Sequence, residues 1–143
     1  MRLWPLAILD QLPRPQLLGQ HRECCALRGK GWGRKHATVD YVFKHPYFHL
    51  FVYHKKVMDE MFLRGYRFAI EWGCSDYRGK LLGDEHSQFT SWSHKDIEYL
   101  KRNPLVYPEH DESYLAECIA NLAGKGVAID REKALGNMKS MKE

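Results

Sequence analysis

The chain has 143 residues, 44% of them hydrophobic, long enough to fold one domain around a core and too apolar for a disordered chain. Its net charge of +4 joins two unlike parts: residues 1–56 hold ten Lys/Arg against three Asp/Glu, or +7, and residues 57–143 hold twelve against fifteen, or −3. Four cysteines without a C-x-x-C, two of them the neighbours Cys24 and Cys25, argue against a disulfide framework and for reduced thiols in the cytoplasm.

The opening MRLWPLAILD has an apolar run that is short, contains Pro5 and ends at Asp10 with no small-residue cleavage site, so it does not read as an export signal. No apolar run reaches membrane-spanning length. The first helix follows LPRPQ, with Pro15 at an early helical position, and runs to about Leu27. On its wheel Leu17, Leu18, His21, Cys24 and Cys25 share one side. Gly19, Glu23 and Ala26 share the other, with Arg22 at its edge. Small residues a turn away on either side of Glu23 leave room for another backbone to approach it.

The connection 29–36, GKGWGRKH, alternates glycines and cations around one tryptophan. A second helix starts near His45-Pro46. Leu50, Phe51, His54, Val57, Met58, Met61 and Phe62 recur at helical spacing up to Gly65, a natural left-handed stop. After a polar connection at 71–92, Ser93 and Asp96 form a capping box for a short third helix that stops at Asn103-Pro104. A fourth carries Leu115, Cys118, Ile119 and Leu122 on one stripe before Gly124. The ends MFLRGY and NLAGKGV look alike, and shared C-cap chemistry explains this better than a repeat. From residue 131 the tail adds a short helix and then frays. The expected fold is mostly α: one compact helical domain over 1–143 with long basic and polar loops.

The concentrated positive charge of the first part suits a polyanion, and a phosphate backbone above all. In GKGWGRKH the cations Lys30, Arg34, Lys35 and His36 can hold phosphates, glycines let the backbone come close, and Trp32 can stack on a base or wedge into a duplex. The competing reading is a solvated loop with Trp32 folded back on the core. Glu23 is a lone acid in the basic strip 17–36: either a solvated helix residue paired to Arg22, or the general base or charge stabiliser of an enzyme acting on that polyanion. The i, i+4 pairs His45/His49 and His21/Cys25 have the spacing of metal ligands but lack a clear third and fourth partner, so neither a metal nor a cofactor is expected.

The stretches LLGQHREC, RKH, FHLFVYHKKVMDEMFLRGYRF, DYRGK and LKRNP, in this order over about 1–108, resemble the endonuclease V-type pyrimidine dimer DNA glycosylases, and the start looks like their bacterial branch. The likeness is absent from about 109, leaving 109–143 as a C-terminal helical extension. The resemblance implies a monomeric, helical DNA repair enzyme acting on double-stranded DNA with ultraviolet or abasic lesions. Its chemistry would be a glycosylase step and a β-lyase step through a Schiff base on the N-terminal α-amine. It implies Met1 as the nucleophile, Glu23 as the catalytic acid residue and Arg22 as the arginine that holds distorted DNA, with Arg2 beside the amine and among the DNA contacts. Two departures stand out. The family starts, after loss of the initiator Met, at a small hydroxyl residue followed by arginine, whereas Arg2 here follows Met1. Ala26 replaces an arginine and Gln16 a histidine, so that either the phosphate grip moves to Arg28, Lys30, Arg34 or Lys35 or the substrate differs. A non-catalytic nucleic-acid-binding module, or a glycosylase for another damaged base, are the alternative readings.

Overall fold

Residues 3–9 and Leu12 of this chain form a core element. The computed structural model describes residues 2–35, 38–83 and 94–143. Leu3, Trp4 and Leu6–Leu9 are buried, the last four in a 3-10 helix at Leu6–Gln11. Five α-helices follow it: α1 (Arg14–Arg28), α2 (Tyr47–Leu63), α3 (His94–Arg102), α4 (Glu112–Gly124) and α5 (Arg131–Lys142), with further 3-10 turns at Asp40–Lys44 and Ile70–Gly73. No strand occurs among the described residues, and none of their helices is long and apolar enough to cross a membrane. The expected mostly α fold is the one observed. The Ser93 half of the α3 capping box lies outside the described residues.

One apolar cluster joins these elements. Leu17, Cys24 and Leu27 enter it from α1, Leu50, Tyr53, Val57 and Met61 from α2, Leu115, Cys118 and Leu122 from α4, and Ala134 and Met138 from α5. The 3-10 helix packs on α2 and α5, and its polar backbone is satisfied by side chains on or next to both. Arg64, just past the end of α2, donates to the carbonyls of Leu12 (2.6 Å), Leu9 (2.9 Å) and Asp10 (3.2 Å). Asn137 of α5 donates to Ala7 O at 3.0 Å. Gln11 and Asp130 exchange hydrogen bonds, Asp130 N–H to Gln11 Oε1 at 2.7 Å and Gln11 Nε2 to Asp130 O at 3.1 Å. A buried single-turn helix leaves its carbonyls orphaned unless side chains reach them, and these do.

α5 corrects the expectation for the tail. It does not fray: it runs twelve residues, is N-capped by Asp130 (Lys133 N–H to Oδ1, 3.1 Å), and packs on the 3-10 helix. Its lysine-rich sequence hides the anchor, because Ala134 and Met138, one turn apart, are enough to dock one face.

The two similar helix ends are the same cap. Tyr66 N–H bonds Met61 O and Gly65 N–H bonds Phe62 O; Val127 N–H bonds Leu122 O and Gly126 N–H bonds Ala123 O. Both are Schellman motifs with a left-handed glycine, Gly65 at φ 77° and Gly126 at φ 80°. The left-handed stop of α4 is therefore Gly126 rather than Gly124, which is the helix's last residue.

Candidate active site

Glu23 lies on α1, and the structure shows what comes close to that helix: the chain's own N-terminal segment. Gln20, one turn before Glu23, is fully buried. Its Oε1 accepts from Trp4 N–H at 2.5 Å, and its Nε2 donates to Arg2 O at 3.2 Å. The Tyr53 hydroxyl of α2 lies 2.6 Å from Trp4 O and 2.8 Å from Gln20 Oε1, bridging the two. Tyr114 of α4 donates to Leu3 O at 2.8 Å. Residues 2–4 are thus held by their backbone from three helices. Gly19, next to Gln20, is buried as well. Each such bond contributes on the order of 1 kcal/mol, but leaving its buried partner unpaired costs about 1–3 kcal/mol, so the clamp holds as a unit.

Glu23 itself is half-buried, and among the described residues it has no hydrogen-bond or ion-pair partner, so the pairing with Arg22 offered by the competing reading is not made. Arg22 is exposed. Arg2, expected to meet DNA, is turned to α4: its Nη1 lies 3.2 Å from Glu117 Oε1 and 4.0 Å from Cys118 Sγ, with its side chain 19% exposed. Lys30, Arg34 and Lys35 are exposed on the loop after α1. That loop is tightly folded at its start: a Cβ on Gly31 would lie 2.6 Å from Ala26 O, so only glycine fits there. Met1 and His36 lie outside the described residues.

Two of the expected DNA contacts are elsewhere. Trp32 is folded back against the core, edge-on to Phe43 (5.1 Å between ring centroids) and Tyr47 (5.2 Å), because an indole between glycines gains more from an aromatic cage than from water. Arg28 is completely buried. Its Nε donates to Tyr47 Oη at 3.1 Å, Nη1 to His54 Nδ1 at 2.9 Å and Trp72 O at 2.8 Å, and Nη2 to Cys74 O at 2.9 Å and Tyr77 O at 3.1 Å. All five N–H groups are spent, and the guanidinium also lies over Trp72 (5.0 Å) and Phe51 (5.1 Å). Arg28 holds the segment 72–77 rather than a phosphate. Arg78 returns the contact, donating to Arg28 O at 2.9 Å and Gly29 O at 3.1 Å. Two arginines therefore lock the end of α1 to the segment that follows Ile70–Gly73.

The same network orders a line of protons. A guanidinium only donates, so His54 Nδ1 accepts and its proton is on Nε2. His54 Nε2 then donates to His21 Nδ1 at 2.8 Å, and His21 Nε2 faces Cys25 Sγ at 3.7 Å. His21, Cys25 and His54 group within 4.8 Å, the spacing of a metal site. With Arg28 on its Nδ1, however, His54 would have to become an imidazolate to ligate, so this donor set does not suit a metal at neutral pH. Burial, with Arg28 and then His21, holds the His54 pKa well below the usual range, and burial with Arg22 and Arg28 lowers that of His21. Burial pushes the Cys25 thiol up to about 11, so it is no thiolate nucleophile. The other pair is also engaged: His45 Nε2 meets both Glu109 oxygens at 3.0 Å, and His49 stacks on Tyr99 with its Nε2 3.7 Å from Asp96.

Sequence reading missed Gln20, Tyr53 and the Arg28–Arg78 pair. The signal for Gln20 was there: it stands between Leu17 and Cys24 on the buried stripe, a place where a polar side chain needs a partner.

Two predictions follow from this wiring. Arg28→Lys, which supplies three donors for five acceptors, lowers the unfolding free energy by ~3 kcal/mol in urea denaturation; a change under about 0.5 kcal/mol, typical of a surface cation, contradicts the assignment. The second concerns acid. His21, His49, His54 and His110 are all held below the unfolded value by burial, His110 at about 3. The unfolded chain then binds more protons below about pH 6.5, so stability is full above that pH and falls as pH drops toward the folded pKa values. Melting temperatures measured from pH 8 to pH 4 decline from about 6.5 downward, and a flat profile contradicts this.

The family comparison agrees with the part of the chain that carries the clamp. A family model described as pyrimidine dimer DNA glycosylase matches residues 1–73, just over half of the 143. No curated protein and no solved structure matches the chain.

Proposed function

The chain belongs to the pyrimidine dimer DNA glycosylase family, and from that membership we propose that it excises dimer bases and then cleaves the strand through a Schiff base on the Met1 α-amine. The observation that supports this most is the backbone clamp on residues 2–4, set one helical turn from a half-buried carboxylate that has no partner among the described residues.

In this reading the amine nitrogen bonds C1′ of the damaged nucleotide. The C1′–base bond breaks with its electron pair leaving on the base, which takes up a proton. The bound nitrogen then loses a proton, and its lone pair forms the C1′=N bond as the C1′–O4′ bond breaks, O4′ being protonated as the sugar ring opens to the protonated imine. Abstraction of a C2′ proton then expels the 3′ phosphate. An α-amine has an ordinary pKa of about 7.7–8.0, so a useful fraction is neutral at pH 7, where a lysine amine is almost wholly protonated. No cofactor enters these steps. Glu23 stabilises the positive charge that develops at C1′ and relays the protons. Arg22, Lys30, Arg34 and Lys35 supply the phosphate contacts, and Gln20 acts as a positioning residue because it fixes the backbone of residues 2–4. The pairing of Arg2 with Glu117 assigns the C-terminal region 109–143 a share in the same task.

Borohydride reduction during turnover traps a covalent protein–DNA adduct on dimer-containing and abasic duplexes, and not on undamaged duplex. Glu23→Gln lowers adduct formation and strand cleavage by about 10² or more while leaving duplex binding intact. Retained cleavage in Glu23→Gln, or an adduct that persists after the α-amine is blocked, contradicts the mechanism.

A further inference from the structure

We propose that the turn Arg78–Gly83 is a second DNA-contacting element, in which Leu81 is an apolar wedge that enters the base stack of damaged duplex DNA. The proposal rests on the family's action on DNA and deepens it.

The turn is built to hold a fixed shape. Arg78 N–H bonds Gly83 O at 2.9 Å and Gly83 N–H bonds Gly79 O at 2.7 Å. Gly79 at φ 100° and Gly83 at φ 60° occupy the left-handed region, which lets the chain reverse over four residues. Trp72 packs on the base of the turn, its ring 3.6 Å from where a Gly79 Cβ would stand and edge-on to Tyr77 at 4.9 Å. At the tip, Lys80 is exposed, Leu82 partly so, and Leu81 is 78% exposed.

A single exposed leucine is ordinary on a protein surface. This one differs in its mounting. Arg78, the first residue of the turn, donates to the carbonyls of Arg28 and Gly29, and a Cβ on Gly29 would lie 3.2 Å from Arg78 O. The turn and the loop bearing Lys30, Arg34 and Lys35 therefore touch backbone to backbone. An apolar tip is locked beside a group of exposed cations. Cations grip the phosphates, and an apolar side chain between base steps unstacks them and kinks the duplex. Unstacking costs least where a lesion has already weakened the stack, so the same wedge favours damaged sites. The occupant that fits both the charge and the apolar tip is duplex DNA.

The test uses the full chain with Leu81→Ala, Leu81→Met and Ile70→Ala, the last changing a residue that is 80% exposed but outside the turn. Each is mixed with a short duplex carrying one cyclobutane dimer and 2-aminopurine in the opposite strand. Wild type and Ile70→Ala raise the 2-aminopurine emission on binding. Leu81→Ala loses most of that rise and binds the dimer duplex about tenfold more weakly, with unchanged melting temperature and unchanged affinity for single-stranded DNA. Leu81→Met keeps both signals. Wild-type emission and affinity in Leu81→Ala overturn the proposal, as does a wild-type protein that binds the duplex with no rise. Borohydride trapping on the same samples separates the two readings: unstacking without an adduct keeps the wedge and removes the amine chemistry, and an adduct without unstacking does the reverse.

Discussion

A buried carboxamide holds this molecule's central arrangement in place. Gln20 offers an acceptor and a donor on one rigid plane, which is what the Trp4 N–H and the Arg2 carbonyl require at once. Tyr53 reaches the Trp4 carbonyl from the facing helix, and Tyr114 the Leu3 carbonyl from α4. An extended segment entering a helical core brings backbone groups that cannot be left unpaired, and these three side chains answer them. The consequence is positional: residues 2–4 are fixed to α1 a turn from Glu23. The C-terminal helices belong to the same arrangement, since Tyr114 and Glu117 hold residues 2 and 3, and α5 packs beneath the 3-10 helix.

The cations divide into two populations with different work. Arg28 and Arg78 are inside, and their planar forks are matched mainly to backbone carbonyls, which a lysine could not satisfy in the same way. They bind the end of α1 to the following segment, and burial, with Arg28 adding to it, keeps His54 and His21 neutral. Arg22, Lys30, Arg34 and Lys35 stay on the surface, where a phosphate backbone can reach them. Charge counted along the sequence does not separate the two, because the acceptors of Arg28 lie 19 to 49 residues away.

What the sequence made legible was whatever depends on local periodicity and caps. The α1 and α2 boundaries fell within a few residues of Arg14–Arg28 and Tyr47–Leu63, and the cap shared by MFLRGY and NLAGKGV is the same motif in both places. Misread features depended on partners distant in sequence. Arg28 looked like a surface cation because its neighbours are cations, and Trp32 looked free because glycines flank it. α5 looked frayed because only Ala134 and Met138 turn inward. Glu23 stood out as an acid among bases; Gln20, which fixes the segment beside it, carries no charge and so drew no notice.

The most direct test of this account is the single-turnover rate of adduct formation in Gln20→Ala. With the clamp released, the account predicts a fall of about 10²-fold in that rate, with unchanged affinity for the dimer duplex. A Gln20→Ala protein that folds and forms the adduct at the wild-type rate would show that the carboxamide does not place the start of the chain for chemistry.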